Sequence, residues 1–149
     1  MNFEIRELDE SHLNKLLALY RYLHEDDKAL PAAAEVEEIW RDVMADDKLT
    51  YFGAFESGEL VASCTISIIP NFTRGCSPYA LIENVVTHAS FRRQGLGKAV
   101  LEKAIDLAWE AGCYKVMLMT GRLDEATFKF YEAVGFDRHA KQAFVIKPK

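Results

Sequence analysis

The sequence predicts an α+β fold, a mixed, largely antiparallel sheet of six to seven strands flanked by about four helices. Three observations carry that prediction. Short β-rich runs with hairpin-like spacing fill the first half of the chain, at Phe3–Leu8, Thr50–Phe55 and Leu60–Ile69. Amphipathic runs of helical period alternate with them. A long one, Leu96–Trp109, separates two further strand candidates, Leu81–Val86 and Tyr114–Thr120, and so forms a strand-helix-strand unit that should cross right-handedly.

Each element has a local reason. Phe3-Glu4-Ile5-Arg6-Glu7-Leu8 alternates apolar and polar residues, as a half-buried strand does. Asp9 or Ser11 can cap the helix that follows, whose apolar positions Leu13, Leu16, Leu17, Tyr20 and Leu23 recur at helical spacing. Past the acidic break His24-Glu25-Asp26-Asp27, Pro31 can start a second helix with Val36, Ile39, Trp40 and Val43 on one face. Thr50–Phe55 and Leu60–Ile69 are joined by Glu56-Ser57-Gly58-Glu59, a hairpin turn. Pro70 to Pro78 reads as a loop. The third helix, Leu96–Trp109, ends at Gly112, and Asp124 or Thr127 can cap the fourth, which carries Phe128, Tyr131 and Val134 and stops at Gly135. Ala143–Lys147 reads as a final strand.

The whole chain bounds the function. At 149 residues it is expected to form one domain, residues 1–149, large enough to fold without metal or disulfide support. A net charge of −5 argues against nucleic-acid binding, which needs clustered Lys and Arg. Cys64, Cys76 and Cys113 are too far apart for a Cys-x-x-Cys pair, and their odd number fits a reduced, cytoplasmic setting. Cys64 and Cys113 are expected to be buried, and Cys76 accessible. The four histidines show no paired ligand spacing, so no metal is expected. No apolar run approaches membrane-spanning length, and no secretory leader is evident, so no membrane partner is expected.

Arg92-Arg93-Gln94-Gly95-Leu96-Gly97, between a strand and a helix, is a phosphate-binding arrangement. Two glycines allow a tight turn, and the first N–H groups of the helix point at the ligand with the positive end of its dipole behind them. A P-loop would need Ser or Thr after Gly97-Lys98, where Ala99 stands, and Gly where Arg92 stands. A dinucleotide fold would need an acid at the end of the next strand, and Tyr114–Thr120 has none.

The remaining pattern, Arg/Gln-x-x-Gly-x-Gly/Ala, resembles the pyrophosphate loop of the GNAT superfamily of acyl-CoA N-acyltransferases. Ile82-Glu83-Asn84-Val85-Val86-Thr87 before the loop and Phe130-Tyr131-Glu132-Ala133-Val134-Gly135-Phe136 after it resemble the family's central strand and its Phe-Tyr-x-x-x-Gly-Phe signature. The ordered set spans residues 79–136. From Ile82 through Cys113-Tyr114-Lys115 the sequence is also locally similar to glucosamine-6-phosphate N-acetyltransferases.

The resemblance implies a GNAT-like sheet with splayed central strands, and acetyl-CoA as co-substrate. It further implies an acceptor amine on a small molecule or a peptide, direct attack in a ternary complex, and a homodimer as in many relatives. Backbone around Val85, Val86 and Thr87 would hold the pantetheine, and amides near Val85 and Val86 would polarise the thioester carbonyl if the strand bulges there. Arg92, Arg93, Gln94, Gly95, Leu96, Gly97 and Lys98 would hold the diphosphate. Tyr131 matches the tyrosine that protonates the departing thiolate, although packing support is its other reading. Glu83 matches a carboxylate that takes the amine proton through water, or it is a strand carboxylate paired with Arg or Lys. Asn84 is expected to face away from Glu83. Asp124 stands where relatives often carry Asn against the pantetheine, and an acid there suits a helix cap. The acidic run 24–27 would suit a cationic acceptor, Arg74 and Arg122 an anionic one. A module that binds acyl-CoA without useful turnover is the alternative function.

Overall fold

The computed structural model describes residues 2–149. One five-stranded sheet in the order β1-β2-β3-β4-β5 forms its centre: β1 (Glu4–Glu7), β2 (Leu49–Glu56), β3 (Glu59–Ile69), β4 (Tyr79–Thr87) and β5 (Val116–Leu118). The first three pairings are antiparallel and β4 with β5 is parallel, so the sheet is mixed and largely antiparallel as expected. Helices α1 (Leu13–Tyr20), α2 (Ala33–Ala45), α4 (Leu96–Glu110) and α5 (Glu125–Val134) correspond to the four read from the sequence. A fifth, α3 (Thr73–Cys76), is one turn within the Pro70–Pro78 loop, with Arg74 and Gly75 at positive φ.

The strand count differs from the expected six to seven: among the described residues there are five. Ala143–Lys147 forms no strand, and Phe144, Val145 and Ile146 are 90%, 71% and 96% exposed. A run of β-formers makes a segment suited to a sheet, but a strand exists only where a neighbour takes its hydrogen bonds.

Local chemistry explains the ends of the elements. The β2–β3 hairpin turns through Ser57 and Gly58 at φ 51° and 82°, two successive left-handed residues that match the twist of the strands. Asp9 accepts from the Ser11 N–H while the Asp9 N–H donates to Nδ1 of buried His12, a reciprocal cap ahead of α1. Gly112, at φ 81°, lies just beyond α4, and Gly135, at φ 121°, just beyond α5.

Each face of the sheet buries its own core. On one, Phe52, Ala62, Cys64, Ile66 and Ile82 pack against Leu96, Val100, Leu101 and Ala104 of α4, with α5 at the margin. On the other, Leu16 and Leu19 of α1 and Trp40 of α2 pack against Phe55, Leu60 and Val86. Trp40 Nε1 donates to the Glu10 carbonyl at 3.1 Å, which ties α2 to the turn before α1.

Candidate active site

Two irregularities in β4 create the site. The first is its partner's length: β5 pairs with β4 only at Ala80, Leu81 and Ile82, so the edge of β4 from Glu83 to Thr87 faces no strand on that side. This is the expected splay. Backbone N–H and C=O groups along such an edge can accept a ligand that bonds like a strand.

The second is a bulge. The β3–β4 register runs Thr65↔Glu83 and then resumes at Ser63↔Val86, so Asn84 and Val85 together stand opposite Cys64. Asn84 lies at φ 53° to make the extra residue fit. The bulge expected near Val85 is therefore present. It also interrupts the regular alternation on which the expectation for Asn84 rests: Glu83 shares the face of its partner Thr65, whereas Asn84 belongs to the bulge. Strict alternation fails because the bulge inserts one residue. Past it, Val85 packs towards α4 and Val86 towards α1.

The glycine-rich turn follows directly. After β4, His88 caps a single helical turn (Ala89–Phe91) by accepting from the Ser90 N–H at Nδ1, 3.0 Å away. With Nδ1 accepting, neutral His88 carries its hydrogen on Nε2, 2.9 Å from the Tyr22 hydroxyl oxygen. Arg92 Nε donates to the Thr87 carbonyl at 3.4 Å, and Arg93 takes φ 62°. Gly95, at φ 80°, is the residue before α4, whose first turn holds no acidic side chain. Arg92, Arg93, Gln94 and Lys98 are exposed around this helix start, while Leu96 and Gly97 are buried. Lys98 also lies 3.7 Å from Glu102, an exposed pair one turn along.

Gly97 serves a purpose the sequence reading did not anticipate. A Cβ there would stand 3.0 Å from Cζ of Phe130 and 3.4 Å from Thr87 Oγ1. The missing side chain lets α5 approach the start of α4, besides leaving the turn open to an anion. Phe130 was part of the signature but was not singled out; its aromatic neighbour within the motif was the available signal.

Tyr131 is half-buried on α5 between Phe130 and Phe136, with ring centroids 5.0 and 6.2 Å away in edge-on contact. Its carbonyl accepts from the Phe136 N–H at 3.1 Å, so the Gly135-Phe136 pair of the signature closes the helix that carries the tyrosine. Burial raises the phenol's pKa above its ordinary value, with Cys64 and then Glu83 adding to the rise and Arg122 opposing it. The group therefore keeps its proton at neutral pH. Glu83 itself is exposed.

Asp124 caps α5: its Oδ1 accepts from the Thr127 N–H and hydroxyl, both at 2.9 Å. These bonds, first of all the backbone one, hold its carboxyl below the usual range. Arg122 lies 3.5 Å away.

Cys64 and Cys113 are buried and Cys76 exposed. Burial pushes the Cys64 thiol up to about 12, and its Sγ donates to the Val100 carbonyl, so it is no nucleophile at neutral pH. Among the described residues no three His, Cys, Asp or Glu side chains gather as a metal site would require. No helix among them is long and apolar enough to cross a membrane.

The chain is similar to known proteins in sequence and in fold. The acetyltransferase (GNAT) family model matches residues 13–136. A glucosamine 6-phosphate N-acetyltransferase of Trypanosoma brucei brucei is 34% identical over 146 residues, 95% of this chain and 94% of its own. A solved Agrobacterium tumefaciens str. C58 protein described as an acetyltransferase superposes with a TM-score of 0.91 at 42% identity, over 97% of this chain and 99% of its own. The glucosamine-6-phosphate N-acetyltransferase of Arabidopsis thaliana superposes with a TM-score of 0.85 at 27% identity, over 98% and 99%. The open β4 edge, the glycine-rich helix start and the half-buried tyrosine of α5 thus sit in a chain that belongs to the GNAT family of acetyltransferases.

Proposed function

We propose that this acetyltransferase moves the acetyl group of acetyl-CoA to the primary amine of an amino-sugar phosphate of the glucosamine 6-phosphate type, by direct attack in a ternary complex. The observation that carries the mechanism is the unpaired, bulged edge of β4, whose Val85 packs against the same core as Tyr131 of α5. The acceptor class comes from the Trypanosoma brucei brucei relative, which aligns with this chain almost end to end.

In this reading the diphosphate lies on the helix start at Gln94–Gly97, with Arg92, Arg93 and Lys98 supplying positive charge. The pantetheine bonds to the open edge at Val85, Val86 and Thr87. The amine nitrogen attacks the thioester carbonyl carbon while bulge amides hold the developing oxyanion. As the tetrahedral intermediate collapses, the C–S bond breaks and the thiolate takes the Tyr131 proton. Glu83 takes the amine's proton through water, and solvent restores both groups. Asp124 contributes by orienting α5, since Thr127 occupies its carboxylate. The whole chain acts as one acyltransferase domain.

The test is release of free CoA from acetyl-CoA with glucosamine 6-phosphate, glucosamine, spermidine and a lysine peptide as acceptors. The expected order of kcat/KM places glucosamine 6-phosphate first. Turnover confined to spermidine or the peptide overturns the acceptor assignment.

The active form is a homodimer in this proposal. Phe144, Val145 and Ile146 are exposed, and β5 leaves the outer edge of the sheet uncovered. A second copy supplies both with cover.

A further inference from the structure

Tyr22 lies just past the end of α1, is 39% exposed and is part of neither core, so packing gives it little to do. Its hydroxyl oxygen nevertheless stands 2.9 Å from Nε2 of His88, 66 residues further along the chain. The two rings touch as well, with centroids 4.3 Å apart. His88 also meets the ring of Phe91 edge-on, at 5.5 Å between centroids.

His88 joins β4 to the glycine-rich turn. Its backbone N–H donates to the Val61 carbonyl at 2.8 Å, its carbonyl accepts from the Phe91 N–H at 2.9 Å, and its Nδ1 accepts from the Ser90 N–H. The helical turn closed in this way delivers the chain to Arg92. From there Arg92–Gly95 belong to no helix or strand and include two left-handed residues, Arg93 and Gly95, so their course depends on how the turn's start is held.

The His88 ring caps that start only while Nδ1 carries no hydrogen and points at Ser90. The hydrogen on Nε2 then needs an acceptor. Water is one; the Tyr22 oxygen is another, and it differs in being anchored to α1, so it fixes both the tautomer and the orientation of the ring.

We propose that Tyr22 is a positioning residue of the cofactor site: through His88 it holds the turn before Arg92, and so keeps the glycine-rich start of α4 in the form that takes the diphosphate. The proposal rests on the reading of that turn as the CoA diphosphate site. Because coupling between sites is reciprocal, bound CoA also steadies the segment that runs from Tyr22 into the acidic residues 24–27.

Calorimetric titration with CoA tests it on wild type, Tyr22→Phe, His88→Asn and the double variant. Tyr22→Phe keeps the ring contact and removes only the hydroxyl, and is expected to weaken CoA binding about two- to tenfold, the worth of one hydrogen bond. Asparagine is a good helix cap and still accepts from the Ser90 N–H, but it places no group where Nε2 stood. Tyr22→Phe is therefore expected to change nothing further in the His88→Asn background. In turnover the KM for acetyl-CoA rises with the loss of CoA affinity, while kcat, acceptor KM and melting temperature stay as in wild type. The proposal is overturned by a Tyr22→Phe variant with wild-type CoA affinity, by a loss that persists in the His88→Asn background, or by an acceptor KM that rises equally with a lowered melting temperature. A wild type that binds no CoA overturns the reading of the turn itself and this proposal with it. A wild type that binds CoA yet acetylates no amine sinks the acyl-transfer reading alone, since the binding comparison still decides the role of Tyr22.

Discussion

Gly95 and Gly97 stand two residues apart in one motif and meet different physical demands. Gly95 has open space where a Cβ would go but sits at φ 80°, so its requirement is conformational. Gly97 has helical backbone and no room, because the Phe130 ring occupies the position. Gly97→Val therefore overpacks the α4–α5 contact, at a cost of about 1–3 kcal/mol, and displaces the helix that carries Tyr131. Denaturant unfolding should show that loss and calorimetry a weakened CoA affinity; a variant equal to wild type in both would remove Gly97 from the account. That glycines were needed at this turn was legible in the sequence. That one of them answers to an aromatic ring some thirty residues on was not, because the contact is tertiary.

At the scale of elements, β4 and α5 do the placing. The pairing of β4 ends early on one side and shifts by one residue on the other, and both defects fall on Glu83–Thr87. Sequence could suggest the bulge near Val85, but it could not put the left-handed residue at Asn84, since the register that demands it is set by the partner strand. The cap of α5 was readable, because Asp124 bonds to a residue only three positions away. It also has a pH signature. Thr127 holds the folded-state pKa of Asp124 below the unfolded value, so its contribution is complete above the unfolded carboxylate pKa. It is lost as pH falls through the depressed folded value. The melting-temperature difference between wild type and Asp124→Ala should be full at neutral pH and shrink only in that acidic window; a difference that is flat with pH would mean that the carboxylate does not act as the cap.

At the scale of the whole molecule, the order of strands, the hairpin and four helices followed from patterns that are local: period-two and period-3.6 alternation, capping residues and positive-φ turns. The sixth strand did not follow, because Ala143–Lys147 has the pattern without the neighbour. If a second copy is that neighbour, sedimentation should give a dimer for wild type and a monomer for Phe144→Asp combined with Ile146→Asp. A wild-type monomer, or a doubly substituted dimer, would contradict the assignment.

The central claim is that acetyl transfer occurs at the open edge of β4 with Tyr131 as the acid. Single-turnover release of CoA by wild type and Tyr131→Phe, each saturated with acetyl-CoA and mixed with glucosamine 6-phosphate, tests it most directly. The account predicts unchanged acetyl-CoA affinity and a rate lowered by about 10²-fold or more, the usual loss of a general acid. An undiminished rate in the variant would show that the thiolate takes its proton elsewhere and that Tyr131 only packs.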